Sequence, residues 1–159
     1  RTGVREIHDD AYSRIRQLRI KEFEMKLDTD EPYINFASRV NGNRDQLRSF
    51  LLKEKSKGKR IFCYGASTKG FTILKYYNID NSIIEACADR NEIKWGSIMR
   101  GSNIPIVSES EARAAKPDYF FVLPWHFIDS FVKREAEYLR SGGKFIVPMP
   151  EFRVIEYDG

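Results

Sequence analysis

One short turn combines the residue types and the spacing that could bind a ligand. The segment Gly65-Ala66-Ser67-Thr68-Lys69-Gly70, called the glycine loop below, follows a short apolar run and opens an amphipathic stretch. This order predicts a buried strand, a tight turn and a helix. Such a turn directs backbone N–H groups and the positive end of a helix toward the space above the strand, which favours an anion. We therefore predict that the six residues of the glycine loop bind a ligand.

The glycine spacing departs from two nucleotide-binding patterns. Gly65 and Gly70 match the first and third glycines of the dinucleotide pattern G-x-G-x-x-G, but Ser67 stands where the middle glycine lets the backbone approach a pyrophosphate. This weakens an interpretation as an NAD site, although the Ser67 hydroxyl could still bond a phosphate. A P-loop is excluded because Phe71, rather than a lysine followed by Ser or Thr, comes after Gly70. The simpler alternative is that Gly65 makes the turn and Gly70 lets the helix pack closely against the strand.

An acidic residue and two cations follow the next predicted strand. Asp89 ends that strand about 20 residues beyond the glycine loop, where dinucleotide-binding folds place the acid that binds a ribose. Arg90 lies next to it, and Lys94 precedes Trp95 in the same polar loop, where Lys94 could act as a phosphate clamp. The alternative is that Asp89 only caps the loop. Asp89, Arg90 and Lys94 are all candidate ligand-binding residues.

Strands and helices alternate along most of the chain. We predict strands near residues 60–64, 83–88, 104–107, 119–123 and 144–148, and helices near 68–77, 108–115 and 127–140. This alternation predicts an α/β fold that is Rossmann-like, with a doubly wound, mostly parallel sheet. From about Ile7 to Phe50 the spacing is helical with an interruption at 28–32. Asn41-Gly42-Asn43 could end one helix and begin another, although the helical pattern runs through it. We predict a helical connector at residues 1–57 and the Rossmann-like domain at residues 58–159.

The carboxyl ends of the predicted strands should meet at one cleft, because ligands bind there in sheets of this type. The four segments that follow these strands are 65–67, 89–91, 124–126 and 148–151. Trp125 could stack on a base or a sugar, or it could simply pack on the top of the sheet. His126 could bond a substrate or carry a proton, or it could cap the following helix. We identify no complete catalytic apparatus, and His126 is the one candidate for a catalytic role.

Composition excludes several classes of protein. The chain has 27 Lys and Arg against 23 Asp and Glu, and its net charge of +4 is too weak to indicate a nucleic-acid partner. No apolar run approaches the ~18 residues that cross a bilayer, and no secretory segment is recognisable, so we expect no membrane partner. Cys63 and Cys87 fall in two predicted strands, where we expect buried reduced thiols. The Cys and His residues lack metal-ligand spacing. We therefore expect a cytoplasmic protein with no bound metal.

A group of basic residues lies close together before the first predicted strand. We expect these residues to form a solvated helix face, the alternative being that they steer an anionic ligand. They are Arg44, Arg48, Lys53, Lys55, Lys57, Lys59 and Arg60.

A set of short motifs occurs in an order that is familiar as a whole. The motifs are YGASTKG at 64–70, DRNEIKWG at 89–96, GSNIPI at 101–106, PDY at 117–119, LPWHF at 123–127 and GGKFIVPMP at 142–150. Together they resemble the C-terminal domain of the SAM-dependent sugar C-methyltransferases. That family acts on nucleotide-linked deoxysugars, typically keto sugars carried on thymidine diphosphate. The resemblance extends from about Phe36 to Ile155.

The resemblance implies that this chain is one part of a longer enzyme. Members of the family combine a small zinc-binding N-terminal module, a central SAM-binding domain and a Rossmann-like C-terminal domain, with the active site between the last two. This chain would be the C-terminal part, and its helical connector would lead from an upstream SAM-binding domain of the same protein. That domain would hold most of the cofactor, S-adenosylmethionine, and the missing part would supply the catalytic base. The isolated chain would be inactive, and its ligand would be a nucleotide sugar.

The resemblance also carries two groups of residues over to this chain. The family's aromatic-polar strand end corresponds to Trp125 and His126, although some members have Asn in place of His126. The family's phosphate-loop-like turn corresponds to Gly65, Ser67, Thr68, Lys69 and Gly70.

Two other functions stay open at this point. The chain could be a free-standing nucleotide sensor that binds NAD or CoA, since the Gly-Ala-Ser turn also suits CoA-binding Rossmann-like domains. It could instead be a purely structural domain, used for docking or for forming a homodimer. Binding of NAD that weakens in Asp89→Ala would favour the sensor, whereas a stable dimer that binds no nucleotide would favour the structural role.

Overall fold

A seven-stranded sheet organises the computed structural model, which describes residues 9–157. The order across the sheet is β3-β4-β2-β1-β5-β6-β7. β1, β2, β4, β5 and β6 are parallel, whereas β3 and β7 are antiparallel edge strands. The strands are β1 (Ile61–Tyr64), β2 (Cys87–Asp89), β3 (Ile98–Met99), β4 (Ile104–Ser108), β5 (Tyr119–Val122), β6 (Lys144–Val147) and β7 (Arg153–Ile155).

Helices cover both faces of this sheet. Alternate residues of β1 point to opposite faces, so Ile61 and Cys63 pack in one apolar layer and Phe62 and Tyr64 in the other. The first layer includes side chains of α2 and α3, and the second includes side chains of α4, α5 and α6. The helices are α1 (Asp9–Glu24), α2 (Glu31–Ser56), α3 (Thr68–Tyr76), α4 (Glu109–Ala114), α5 (Ile128–Arg134) and α6 (Ala136–Arg140). The predicted α/β class, with a mostly parallel sheet and an N-terminal helical segment, is confirmed.

The strand order places a crevice at one point of the sheet. From β1 the chain moves to β2 and β4 on one side, and it then crosses to β5 and β6 on the other side. The connections that leave the carboxyl ends of β1 and β5 therefore diverge. In open α/β sheets this switch point is where ligands bind.

Several predicted strand boundaries are wrong, for reasons that the structure makes clear. The second strand begins at Cys87 rather than at residue 83, because the N–H groups of Ile83 and Ile84 bond to the Asp80 carbonyl and form a turn. The segment near 144–148 is not the last strand, since the chain turns back and β7 pairs with β6. β3 was not predicted, and its two residues are too few to show a pattern.

One helix prediction is wrong, and one alternative left open by the sequence is decided. The stretch 127–140 is not one helix, because a 3-10 turn (Trp125–Phe127) precedes α5 and the helix breaks at Glu135 before α6. The carboxylate of Glu135 takes part in a buried cluster described below. Asn41-Gly42-Asn43 does not end a helix, since α2 continues through it to Ser56. The predicted helix start near Ile7 lies outside the described residues.

The chain divides into two compact units, residues 1–42 and residues 43–159. The division falls inside α2, whereas the predicted boundary at residues 57 and 58 follows the end of that helix. The first unit exposes large apolar side chains, among them Tyr12, Phe23 and Ile34. The second unit contains the whole sheet. Between residues 9 and 157, no helix is long and apolar enough to cross a membrane.

Candidate functional site

The glycine loop is a tight connection between β1 and α3. Gly65 has a φ of +82°, and a Cβ atom there would lie 2.7 Å from Cγ of Pro124. A Cβ atom on Gly70 would lie 2.3 Å from Cβ of Leu123. Both glycines are therefore required by the backbone, Gly65 for the turn and Gly70 for the close packing of α3 against the end of β5.

The side chain of Ser67 caps the start of α3 and does not project freely above the loop. Its hydroxyl oxygen accepts the N–H of Gly70 at 3.0 Å, and this bond makes Ser67 the N-cap of the helix. Thr68 and Lys69 are the first two helical residues, and both are exposed. The N–H groups at these positions have no partner within a helix. The exposed end of α3 consequently offers backbone donors together with one lysine.

Asp89, Ala66 and Lys94 join the loops that follow β1 and β2. Oδ2 of Asp89 accepts the N–H of Ala66 at 2.8 Å and the ammonium of Lys94 at 3.0 Å. Nζ of Lys94 also donates to the Ala66 carbonyl at 2.9 Å. We call these three residues the clasp. It uses two residues that the sequence nominated for binding a ribose and a phosphate.

Two further hydrogen bonds fix the loop that carries Lys94. Oδ1 of Asp89 accepts the N–H of Asn91 at 2.8 Å, and the Trp95 indole donates to the Asp89 carbonyl at 2.8 Å. Asn91 caps a 3-10 turn at Glu92–Lys94 through its side chain. Arg90, the remaining candidate in this loop, is exposed.

Trp125 and His126 lie just past β5, in the 3-10 turn. Trp125 is half-buried and packs against the apolar layers on both faces of the sheet. His126 is exposed, and its ring centroid lies 4.2 Å from that of Phe127. Among the described residues no side chain caps α5, so His126 does not have the capping role considered from the sequence.

An asparagine that sequence reasoning missed holds the segment after β6. Nδ2 of Asn43 donates to the Pro148 carbonyl at 2.6 Å and to the Tyr77 hydroxyl at 3.0 Å. Its Oδ1 accepts the N–H of Phe152 at 2.5 Å. Asn43 thereby fixes both ends of the turn between β6 and β7. A lone Asn inside a helical pattern carries no sequence signal for such a contact.

The structure brings the predicted segments to one edge of the sheet, here called the carboxyl edge (residues 65–69, 89–95, 124–126 and 148–151). Gly65 donates to the Ala88 carbonyl at 2.7 Å, and Leu123 donates to the Tyr64 carbonyl at 3.1 Å. These bonds keep the segments after β1, β2 and β5 adjacent. Every candidate site residue except Gly70, which lies one position further into α3, falls within this edge.

The last two members of the basic group before β1, Lys59 and Arg60, bond to acids away from the carboxyl edge. Lys59 bonds to Asp118 and Arg60 to Glu85, at the amino ends of the strands rather than at the carboxyl edge. Six of these basic residues form a hydrogen bond or an ion pair with an acid or a carbonyl of the chain. The six are Arg44, Arg48, Lys55, Lys57, Lys59 and Arg60.

A second polar cluster surrounds Glu135 on the face of the sheet that α4, α5 and α6 cover. This carboxylate is 3% exposed and accepts the Tyr64 hydroxyl at 2.6 Å. Arg113 donates to it twice, at 2.8 and 2.5 Å, while Arg134 bonds to Glu109 at 2.7 Å and also to Tyr64. Burial alone would raise the pKa of Glu135, but the hydrogen bonds from Arg113 and Tyr64 outweigh it and lower that pKa. We call these five residues the Glu135 cluster.

A groove of about 740 Å³ lies beside the Glu135 cluster. It is lined by three cations and three acids, and by the segments that enter β5 and β6. The groove is thus at the amino ends of these strands, away from the carboxyl edge. The lining includes Arg113, Lys116, Asp118, Arg134, Glu135 and Glu137.

The described residues contain no group of three or more His, Cys, Asp or Glu that could hold a metal ion. Cys63 and Cys87 are buried and form no disulfide, and they occupy opposite positions on the neighbouring strands β1 and β2. Burial raises the pKa of the Cys63 thiol well above its ordinary value. The expectation of buried thiols on neighbouring strands is confirmed.

Comparison with known proteins gives two findings. A family model described as the C-methyltransferase C-terminal domain matches residues 3–150. The chain is also 38% identical over 123 residues to the C-methyltransferase NovU of Streptomyces niveus. This alignment covers 77% of the chain but 29% of that relative, so the chain spans less than a third of the length of the protein it matches.

Proposed function

This chain belongs to the C-methyltransferase C-terminal domain family, and from that premise we propose that it binds the nucleotide-linked deoxysugar of a SAM-dependent C-methyltransferase. Family membership supports a role related to methyl transfer. The nucleotide sugar, the cofactor and the upstream partner domain are parts of the proposal. The observation that carries it is the exposed start of α3 at the switch point of the sheet, where Thr68 and Lys69 offer donors and a positive charge.

The geometry of this helix start suits a diphosphate. The positive end of a helix attracts an anion, and a nearby cation strengthens that attraction. Lys69 supplies the cation, and the Ser67 cap holds the first turn in place. We assign the diphosphate of the nucleotide sugar to this point.

The remaining candidates would meet the rest of the ligand. Trp125 and His126 lie past β5, next to the glycine loop across the sheet, and Arg90 lies past β2. In the proposal Trp125 contacts the base or the sugar, and His126 and Arg90 offer polar groups to it. A proton-carrying role for His126 stays a prediction.

The proposed reaction divides the work between this chain and an upstream domain of the same protein. A base in that domain would remove a proton next to the sugar ketone, and the resulting enolate would accept a methyl group. S-adenosylmethionine, held mainly by the upstream domain, would supply that methyl group from its sulfonium and leave as the thioether S-adenosylhomocysteine. This chain would hold the substrate in position and exclude water from it, which raises the rate by orienting the reactants. The chain alone would then be inactive.

Calorimetric titration of the chain tests the proposal. The ligands are thymidine diphosphate, a thymidine-diphosphate sugar, NADH, CoA and S-adenosylmethionine. Binding of the first two, weakened in Lys69→Ala, is the expected result. Binding of NADH or CoA instead would favour the nucleotide sensor.

If none of the five ligands binds, either the cleft is completed by another domain or the chain has a structural role. A longer protein distinguishes these two explanations. The same titration is then repeated on the chain joined to its upstream domains, together with an assay of methyl transfer to keto deoxysugar nucleotides. Binding that appears only in the longer protein would mean that the cleft is completed by the other domain. Absence of both binding and methyl transfer would refute the proposal and favour a structural role.

A further inference from the structure

We propose that Asp89 and Lys94 are a positioning pair, which fixes the glycine loop for anion binding without touching the ligand. The inference rests on the proposed function, because the anion is the diphosphate assigned to the start of α3. It replaces two roles predicted from the sequence, the ribose-binding acid and the phosphate clamp. The proposal is based on the observation that the side chains of Asp89 and Lys94 already bond to the glycine loop and to each other.

Both carboxylate oxygens of Asp89 are engaged within the protein. Oδ2 accepts from Ala66 and from Lys94, and Oδ1 accepts the N–H of Asn91. The residue is 8% exposed. An acid that recognises a ribose must present an oxygen to the hydroxyl groups of that sugar. The oxygens of Asp89 instead hold the two loops together, so the dinucleotide role does not fit.

The ammonium of Lys94 is also hydrogen-bonded within the protein. It lies between the Asp89 carboxylate and the Ala66 carbonyl, at 3.0 and 2.9 Å. Two of its three N–H donors are thus used within the protein, and a phosphate that drew the ammonium away from them would leave Asp89 as a mostly buried carboxylate without its cation. Leaving such a charge without its partner is costly.

The clasp controls which groups the glycine loop presents. It occupies the N–H and the carbonyl of Ala66, so the donors that remain for a ligand are those at the start of α3. The positive charge of Lys94 also offsets the charge of Asp89 and the partial negative charge of the Ala66 carbonyl oxygen. Both would otherwise repel an anion bound nearby. Asp89 and Lys94 therefore act on the same bound anion through the conformation and charge of the loop.

A double-mutant cycle on the chain separates positioning from direct contact. The variants are Asp89→Asn, Lys94→Met and the pair together, and the readout is the affinity for thymidine diphosphate. A positioning pair predicts that each single change weakens binding by about tenfold, the size of one charge-assisted hydrogen bond. It also predicts that Lys94→Met has much less effect in the Asp89→Asn background, because the clasp is already broken.

Direct contact predicts the opposite pattern. If Lys94 clamps the phosphate, Asp89→Asn frees the lysine and strengthens binding, and Lys94→Met then costs at least as much in that background. That result overturns the proposal, as does NADH binding that is lost in Asp89→Asn. Lys94→Arg, which keeps the charge beside Asp89, should recover part of the affinity, and Glu92→Gln, an exposed change in the same 3-10 turn, serves as the matched control.

Amide hydrogen exchange tests the clasp even if the unmodified chain does not bind thymidine diphosphate. In that case the assigned anchor of the substrate fails, but the positioning of the loop can still be measured. The Ala66 amide should exchange about tenfold faster in Asp89→Asn and in Lys94→Met than in the unmodified chain or Glu92→Gln. Unchanged exchange at Ala66 in both variants would overturn the positioning role.

Discussion

The carboxyl edge and the Glu135 cluster are both rich in charge, yet they are built in opposite ways. In the Glu135 cluster the acid is buried and its cations and hydroxyl partner all belong to the protein. At the carboxyl edge the paired charges, Asp89 and Lys94, bond to each other and to the backbone of Ala66, while the start of α3 stays exposed. The polar groups of the Glu135 cluster bond to one another, whereas the carboxyl edge leaves backbone donors at the start of α3 for a ligand.

The difference bears on how a site is recognised. A large cavity and shifted pKa values are common marks of a functional site, and both point here to the groove beside Glu135. Structural ion-pair networks shift pKa values in the same way. The Glu135 cluster joins the end of β1 to α4 and to the break between α5 and α6, so we interpret it as a support for the helices on that face.

The largest expected effect is the loss of the Glu135 carboxylate. Glu135→Ala leaves Arg113, Arg134 and the Tyr64 hydroxyl without their buried acceptor, and we expect a cost of about 3 kcal/mol, the low end for a buried pair, because both arginines are partly exposed and keep Glu109. The free energy of unfolding, measured with urea, should fall by that amount. Glu137→Ala removes an exposed acid from the same groove and should change it by less than about 0.5 kcal/mol.

Affinity provides the second half of that experiment. The folded fraction of Glu135→Ala should bind thymidine diphosphate as the unmodified chain does. Loss of binding with little loss of stability would reverse the division and make the groove the site.

Acidification should remove part of the same contribution. The folded-state pKa of Glu135 lies below its ordinary value of 4.5, so the carboxylate stabilises the protein fully above that pH. The contribution is lost as the pH falls below 4.5 and through the folded-state pKa. Urea unfolding between pH 7 and pH 3 should therefore show a decline that is shallower in Glu135→Gln. Equal slopes in the two proteins would mean that this carboxylate is not ionised in a stabilising contact.

Much of the carboxyl edge follows from the sequence because its signals are local. The apolar run, Gly65, Gly70 and the following amphipathic stretch predict strand, turn and helix from neighbouring residues alone. The order of parallel strands then brings distant loops together by a general rule. The family resemblance added an expectation about the longer enzyme without fixing any contact.

What the sequence does not reveal depends on side chains that meet only after folding. Asp89 reads as a ribose-binding acid from its distance along the chain, and only the fold shows its oxygens bonded to Ala66, Asn91 and Lys94. Glu135 lies inside a helical pattern, and two of its partners come from β1 and α4. The break between α5 and α6 and the contacts of Asn43 were missed for the same reason.

A smaller effect is expected from a change that moves the glycine loop. Gly70→Ala places a methyl group 2.3 Å from Cβ of Leu123, so α3 must shift, and overpacking of this kind costs about 1–3 kcal/mol. Gly42→Ala is the matched control, because that helical glycine has open space around it and alanine favours a helix by up to about 1 kcal/mol. Urea unfolding should show opposite signs for the two variants. Gly70→Ala should also weaken binding of thymidine diphosphate, and unchanged affinity would mean that the start of α3 does not hold the anion.

The smallest effect is the most direct test of the carboxyl edge as a binding site. Lys69 lies in the first turn of α3, where an exposed cation near a bound anion changes affinity by about two- to fivefold. Lys75 lies in the last turn of the same helix and bonds to the Gly101 carbonyl, so it carries the same charge at the other end of the helix. Titration of thymidine diphosphate should be weaker in Lys69→Ala than in Lys75→Ala, and the difference should shrink with added salt because exposed charges are screened. Equal losses in the two variants would mean that net charge, and not the start of α3, attracts the ligand, and the contrast with the Glu135 cluster would then lose its functional meaning.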